Sequence, residues 1–232
     1  MTVKYRRMVD VLEPGEVGEA KLDFFEVTEK GRELYRMRDL YNGTDEAEGM
    51  ELGMHARLCV DGVLMMTDTE MEKRTNDRFI NKARGDVMIA GLGMGVILYP
   101  LMDKPEVRHV TVFEKSHDVC ELIAPMLRRT LPREGVLNII PMDIFEMKPS
   151  GVAWDSIYFD IWPTISEDNW PEMQELHEKF APYLRKGGYI ESWRQEDCGE
   201  RHDSVTEASV WLKEEKPELY EELLLEDKVF KV

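Results

Sequence analysis

The stretch "VMIAGLGMGVILYPLM", residues 87–102, decides how the rest of the chain is read. An apolar run enters three glycines on alternate residues, Gly91, Gly93 and Gly95, and leaves into a segment that reads as a helix. Such a turn has a physical use. Glycine lets the backbone turn sharply and admits a ligand where a Cβ would clash. A helix opening just beyond it offers free N–H groups and the positive end of a dipole. Alone, the pattern is weak and equally at home in a tight bend of a buried core. Its surroundings decide.

Downstream, the segments "DVMIAGL", "HVTVFEK", "LNIIPMD", "DSIYFDI" and "GGYIESW" read as strands, with helical segments near 94–103, 116–130 and 168–185 between them. Apolar strands separated by helices predict βαβ units, and hence an α/β fold with a doubly wound, mostly parallel sheet. Glu114 closes the second strand about 20 residues past the glycine turn, where an acidic side chain binds ribose hydroxyls. Asp143 and Asp160 close the third and fourth strands. One acid at a strand end is an ordinary turn residue or cap. Three at successive carboxyl ends line the sheet edge where doubly wound folds bind ligands.

Upstream, residues 1–70 read as a small β-rich domain. "KLDFFEV" (21–27) and "RELYRMRDL" (32–40) are expected as strands around a Glu-Lys-Gly turn at 29–31, and "NGTDEAEG" (42–49) as a loop. In "HARLCVDGVLMMTDTE" (55–70), Asp61-Gly62 between apolar runs predicts a type I′ hairpin. Residues 71–84 read as a polar helix, within a nucleotide-binding α/β domain over 71–200. Residues 201–232 read as an acidic helical extension of that domain, divided at Pro217. Asp68, Glu70 and Glu72 fit either the acidic first turn of a solvated helix or groups near a pocket mouth.

The formal net charge of −17 argues against nucleic acid and anionic membrane as partners. It serves solubility and suits a cationic small molecule. No apolar run reaches the roughly 18–20 residues of a membrane span, and "MTVKYRRMVDVLEPGE" lacks the pattern of a signal peptide. Three widely spaced cysteines, Cys59, Cys120 and Cys198, fit reduced thiols, so a cytoplasmic protein is expected. A hairpin-rich domain leaves an edge for a second copy to cover, which makes a homodimer through residues 1–70 an expectation. "HDVC" (117–120) pairs a histidine with a cysteine, but no second pair stands at ligand spacing, so no metal is expected. Trp162 and Trp170 fit either the wall of a pocket for a cationic head or a lid packed on the sheet.

Taken in order, these segments resemble the class I S-adenosylmethionine-dependent methyltransferases and their relatives over about residues 56–195. "AGLGMG" (90–95) is similar to their first motif, which implies Gly91, Gly93 and Gly95 beside the methionine part of the cofactor. "VFEK" (112–115) and "MDIFE" (142–146) imply Glu114 on the ribose and Asp143 at the adenine amine. "LRKGGYI" (184–190) is similar to the turn before their fifth strand, with Lys186 where proline is usual.

Two branches come closer. "FDIWPTISEDNW" (159–170) is similar to the segment after the fourth strand in the guanidinoacetate methyltransferase-like group. That resemblance implies Asp160 as the carboxylate that holds and activates an amino or guanidino substrate. "RLCVDGVLMMTDTE" (57–70) is similar to the hairpin ahead of the nucleotide domain in spermidine synthases, with Met65 in place of their glutamine. Their loop after the fourth strand is replaced by "DIWPTISED", in which only Asp160 has a counterpart. The resemblance implies a methyltransferase using S-adenosylmethionine on a small cationic amine or guanidino acceptor. Asp160 is then the catalytic group, and Trp162, Asp168 and Trp170 are substrate contacts. The alternatives are an aminopropyltransferase using decarboxylated S-adenosylmethionine and a non-catalytic nucleoside-binding or interaction module.

Overall fold

The computed structural model describes residues 3–42, 47–133, 135–149, 151, 153–164 and 166–198. The expected helical extension at 201–232 lies outside the described residues, as does part of the 42–49 loop. Strands β1 (Gly15–Val17), β2 (Ala20–Val27), β3 (Gly53–Val60) and β4 (Val63–Thr67) form an antiparallel sheet in the order β1-β2-β3-β4. The β3–β4 turn is the expected one, with φ of 51° at Asp61 and 72° at Gly62.

The expected strand at 32–40 is instead part of helix α1 (Glu29–Asn42). Aromatic and Leu content suits a strand, but the buried apolar positions Leu34 and Met37 stand three residues apart, a helical spacing. The expected turn at 29–31 is the first turn of that helix. Thr28 begins it, its Oγ1 accepting the Gly31 N–H at 3.1 Å and its carbonyl accepting the Arg32 N–H at 2.8 Å. Ion pairs at three-residue spacing, Glu29 with Arg32 and Glu33 with Arg36, run along its exposed side.

Helix α2 (Glu70–Lys82) leads into the second sheet. It comprises β5 (Gly85–Ala90), β6 (Val107–Glu114), β7 (Leu137–Pro141), β8 (Trp154–Phe159) and β9 (Leu184–Ser192). All five strands are parallel, in the order β7-β6-β5-β8-β9. Helices α3 (Leu98–Met102), α4 (His117–Thr130) and α5 (Asn169–Phe180) complete the fold. Alternate residues serve opposite faces. Val87, Ile89, Val110 and Val112 pack with Phe79, Ile80, Ile123 and Leu127 of α2 and α4. Met88, Ala90, Ile157 and Phe159 pack with Met173, Leu176 and Phe180 of α5. The first core continues into Leu22, Ala56 and Leu58 of the antiparallel sheet, so the two sheets share one apolar interior. No described helix is long and apolar enough to cross a membrane.

A buried ion pair fastens the antiparallel sheet to the chain start. Asp68, 2% exposed, accepts the N–H groups of Met8 at 2.9 Å and Ala56 at 2.8 Å. His55 Nδ1 lies 3.2 Å from the same carboxylate and its Nε2 lies 2.9 Å from the Glu51 carbonyl. Both neighbours only accept, so both ring nitrogens carry protons and His55 is an imidazolium. The Asp68 bond holds the His55 pKa above its ordinary value. Burial opposes the Asp68 charge, but His55 and the two N–H donors outweigh it and its pKa is lowered. The raised His55 value gives stability that is full below about pH 6.5 and is lost as pH rises through its folded value. The lowered Asp68 value gives stability that is full above about pH 4 and is lost as pH falls through its folded value. Asp68→Ala is therefore expected to cost roughly 3–5 kcal/mol in urea unfolding near pH 6, with a smaller loss near pH 9. Equal losses at the two pH values would contradict the charged pair.

Candidate functional site

The glycine turn does not open directly into a helix. Gly91, Gly93 and Gly95 have φ of 98°, 49° and 75°, conformations no helix contains. The loop therefore passes through two tight turns, Gly95 N–H to the Leu92 carbonyl at 2.9 Å and Leu98 N–H to the Gly95 carbonyl at 3.0 Å. Helix α3 begins only at Leu98, four residues later than expected, and is five residues long. The loop's own turns, not a helix end, shape the floor of the site.

Each glycine has a different neighbour. A Cβ at Gly91 would collide with the Asp160 backbone carbonyl, so this glycine lets the ends of β5 and β8 touch. At Gly93 the neighbour is the Met66 thioether of the β3–β4 hairpin, and Met66 Sδ also accepts the Met94 N–H at 3.1 Å. A Cβ at Gly95 would stand 2.7 Å from Leu127 of α4, and Gly95 does not line the cavity. It is a packing glycine.

A cavity of about 590 Å³ opens between this loop, the hairpin, α2 and the carboxyl ends of the parallel strands. Gly91, Gly93, Glu114, Asp143, Asp160 and Trp162 all line it. Asp168 and Trp170, expected as substrate contacts, do not line it and sit exposed at the start of α5. That helix points them away because its inward residue is one turn on. Glu172 lines the cavity and accepts the Trp162 indole N–H at 2.7 Å.

Glu114 is held from both sides. Its Oε2 accepts the Leu92 N–H and its Oε1 the Ser116 N–H, each at 2.8 Å. Each oxygen keeps a lone pair for a further donor. Asp143 lies two residues past β7, where its Oδ1 accepts the Phe145 N–H at 2.9 Å and Lys115 Nζ approaches Oδ2 to 3.0 Å. Burial disfavours the Asp143 charge, but these donors outweigh it and lower its pKa. Asp160 differs: no described residue gives its carboxylate a hydrogen bond, and burial pushes its pKa up to about 7.

Sequence reasoning missed several lining residues. Met65 and Met66 come from the hairpin, Glu72 and Asn76 from α2, Trp193 from the end of β9, and Glu19 from the β1–β2 turn. The β1–β2 turn is brought over the site by Asp118 at the start of α4, whose Oδ2 accepts the Glu19 N–H at 2.9 Å. Glu72 carried a signal, as one of the acids after the hairpin; Asn76, one turn further on α2, carried none. Among the described residues, Glu19, Glu72, Glu114, Asp143, Asp160 and Glu172 line the cavity against one cation, Lys115. Their excess gives the cavity a negative potential. His117 and Cys120 lie in the first turns of α4, where burial pushes the thiol up to about 11. No cluster of metal-ligating side chains occurs among the described residues.

No family model matches the chain, and no curated protein does. Solved structures do. A spermidine synthase from Thermotoga maritima is similar over 85% of this chain and 63% of its own, at 15% identity and a TM-score of 0.50. A spermidine synthase in complex with the transition-state analogue AdoDATO is similar over 89% of this chain and 65% of its own, again at 15% identity and 0.50. The chain thus spans a little under two thirds of the length of these two proteins. The chain thus shares its fold with spermidine synthases, one of the two branches that the sequence resembles. The local resemblance to guanidinoacetate methyltransferases stays an expectation from sequence.

The two lining glycines make distinct predictions. At Gly91 an added Cβ meets fixed backbone, so Gly91→Ala is expected to cost about 1–3 kcal/mol. At Gly93 it meets the flexible end of Met66, so Gly93→Ala is expected to cost less. Thermal melts of the two variants check the order.

Proposed function

We propose that this chain transfers a group from an S-adenosylmethionine-type sulfonium donor to the nitrogen of a small cationic amine or guanidino acceptor, with methyl transfer as the leading reading. One observation carries it. Asp160, a half-buried carboxylate with no hydrogen-bond partner among the described residues, stands where the glycine loop meets the end of β8. Its place in a cavity lined by five further carboxylates suits a group that must receive a proton from a bound cation.

The residues fit such a donor. Gly91 and Gly93 line the floor of the cavity, and Glu114 has lone pairs left for a ribose diol. Asp143 stands beyond it on the β7 side, for the adenine amine. When bound, a sulfonium donor supplies a carbon already activated for displacement, so no covalent enzyme intermediate is required. The protein's own work is to align, to exclude water and to move a proton.

An amine attacks only when neutral. Asp160 orients the bound ammonium and takes one of its protons, freeing the nitrogen lone pair before the carbon–nitrogen bond forms and the donor's neutral thioether is displaced. A carboxyl held near neutrality is a stronger base than an ordinary carboxylate and is still ionised at mild pH. The surrounding carboxylates keep the cationic acceptor bound while water is displaced. The five-strand order puts Glu114 and Asp143 on one side of β5 and Asp160 on the other. Donor and acceptor halves thus meet over Gly91.

The second reading is aminopropyl transfer from decarboxylated S-adenosylmethionine, and the loop gives a specific reason for it. The Met94 N–H is taken by the Met66 thioether, and Lys115 is paired with Asp143. Little is left beside the glycines to hold a donor's carboxylate. The similarity to a spermidine synthase over 85% of this chain, more than the parallel-sheet region alone supplies, supports the same reading.

Ligand-induced thermal shifts separate these readings, because binding to the native state raises the melting temperature. S-adenosylhomocysteine is expected to stabilise the chain for methyl transfer, and methylthioadenosine to do so better for aminopropyl transfer. Silence with both, in the wild type and in Glu114→Ala alike, defeats both.

Asp160 makes a further pair of expectations. Activity should rise with pH through about 7, since the base must lose its proton. Its raised pKa also means that stability is full below the ordinary carboxylate value and is lost as pH rises through about 7. Asp160→Asn is therefore expected to abolish turnover while raising the melting temperature at pH 8. An active Asp160→Asn enzyme would remove Asp160 from the mechanism.

A further inference from the structure

We propose that Asn76 selects the acceptor: its amide, locked between Tyr158 and the Glu72 carbonyl, offers one N–H to the cavity and so requires an amine that also carries a hydrogen-bond-accepting oxygen, such as a hydroxyl or an amide carbonyl. This deepens the proposed function and rests on it.

The orientation of the amide follows from its partners. Asn76 is 2% exposed and lines the cavity from α2. One of its terminal atoms lies 2.5 Å from the Glu72 backbone carbonyl, which only accepts, so that atom is Nδ2. The other is then Oδ1, and it accepts the Tyr158 hydroxyl proton at 2.9 Å. Tyr158 is itself 1% exposed and stacked on Phe79 with ring centroids 4.4 Å apart. Burial first, and then the charges of Asp160, Glu191 and Glu72, keep its phenol protonated. The amide therefore cannot turn over. One Nδ2 hydrogen is spent on Glu72, and the second has no partner among the described residues.

That hydrogen matters because the same half of the cavity is otherwise built of acceptors. Asp160, Glu72 and Glu172 present carboxylates. The two indoles are already used: Trp162 donates to Glu172 at 2.7 Å and Trp193 to Thr75 Oγ1 at 3.0 Å. Among the described side chains lining this half, Asn76 holds the donor that remains. A buried N–H without a partner is costly, and a ligand oxygen relieves that cost. The carboxylates repel an anionic oxygen at this place, so the matching group is a neutral one. They meanwhile hold the ligand's ammonium. An alkylamine of the same shape meets the carboxylates and leaves the amide hydrogen bare.

The test is calorimetric titration of the full chain with isosteric pairs, propylamine against 2-aminoethanol and butylamine against 3-aminopropanol. In at least one pair the hydroxylated amine is expected to bind about tenfold more tightly, the worth of one buried hydrogen bond and the unpaired group it relieves. In Asn76→Leu the ratio is expected to fall to about one. Tyr158 does not itself line the cavity. Tyr158→Phe removes one of the two partners that hold the amide, so its remaining N–H is less firmly aimed and the ratio should shrink while the alkylamine affinities stay in place. A merely structural role for Tyr158 would weaken both amines alike. Equal affinities within both pairs in the wild type overturn the proposal, and so does a preference that survives Asn76→Leu. If Asn76→Leu does not fold, the wild type and Tyr158→Phe decide. Failure of every amine to bind defeats the proposed function and this inference with it, whereas binding without preference defeats the inference alone.

Discussion

Gly91 has no room for a side chain, and the site depends on that. A Cβ there would collide with the Asp160 carbonyl, so only glycine lets the end of β5 lie against the end of β8. The contact is sealed on both flanks. The Gly91 N–H reaches the Phe113 carbonyl at 2.8 Å and the Asp160 N–H reaches the Ala90 carbonyl at 2.8 Å. Three neighbouring strands thus end in register, and the acids at the ends of the outer two, Glu114 of β6 and Asp160 after β8, are delivered to one edge. Glu114 then closes the loop by accepting the Leu92 N–H. The cavity-lining acid and the glycine loop are held by the same bond, so neither is set independently of the other.

Charge works against stability in this arrangement. Six carboxylates around one cavity repel one another and resist burial. The protein relieves three of them with donors: two backbone N–H groups for Glu114, Lys115 and a backbone N–H for Asp143, an indole for Glu172. Asp160 receives none from the described residues, and burial raises its pKa. A fold selected for stability alone would pair or remove that group. Keeping it bare leaves one acid in the cavity free to exchange a proton with whatever enters.

The parallel half was legible because its signals are local. Val87 and Ile89 alternate with Met88 and Ala90, the acids fall at strand ends, and the Asp61-Gly62 turn needs only two residues to be recognised. What escaped depends on contacts distant in the chain. Residues 32–40 carry strand-compatible side chains, yet Leu34 and Met37 are buried at helical spacing. Thr28, which starts that helix, stands four residues before the apolar stretch. The late start of α3 escaped for another reason: positive φ at three glycines forbids helix, but the sequence shows glycine, not its φ. Asp168 and Trp170 looked like site residues because they follow Asp160 closely, whereas the cavity is met one turn later by Glu172. Asn76 left no trace at all, since its importance lies in Tyr158, 82 residues away.

The sheet order gives these separate pieces one consequence. With β5 central, β6 and β7 carry Glu114 and Asp143 to one side, while β8, β9 and α2 carry Asp160, Trp193 and Asn76 to the other. The first side is built from the loop and strand ends of the nucleotide-binding fold, which many chemistries share. On the second side α2 supplies Glu72 and Asn76, and its Thr75 fixes the Trp193 indole. Helix α2 follows directly from the hairpin whose Met66 rests on the glycine loop. One continuous segment, residues 53–82, therefore touches both halves. A change in how that segment sits alters both halves together. Met65 and Met66 on this segment line the cavity beside the glycine loop, so the hairpin helps set the space that the loop leaves open.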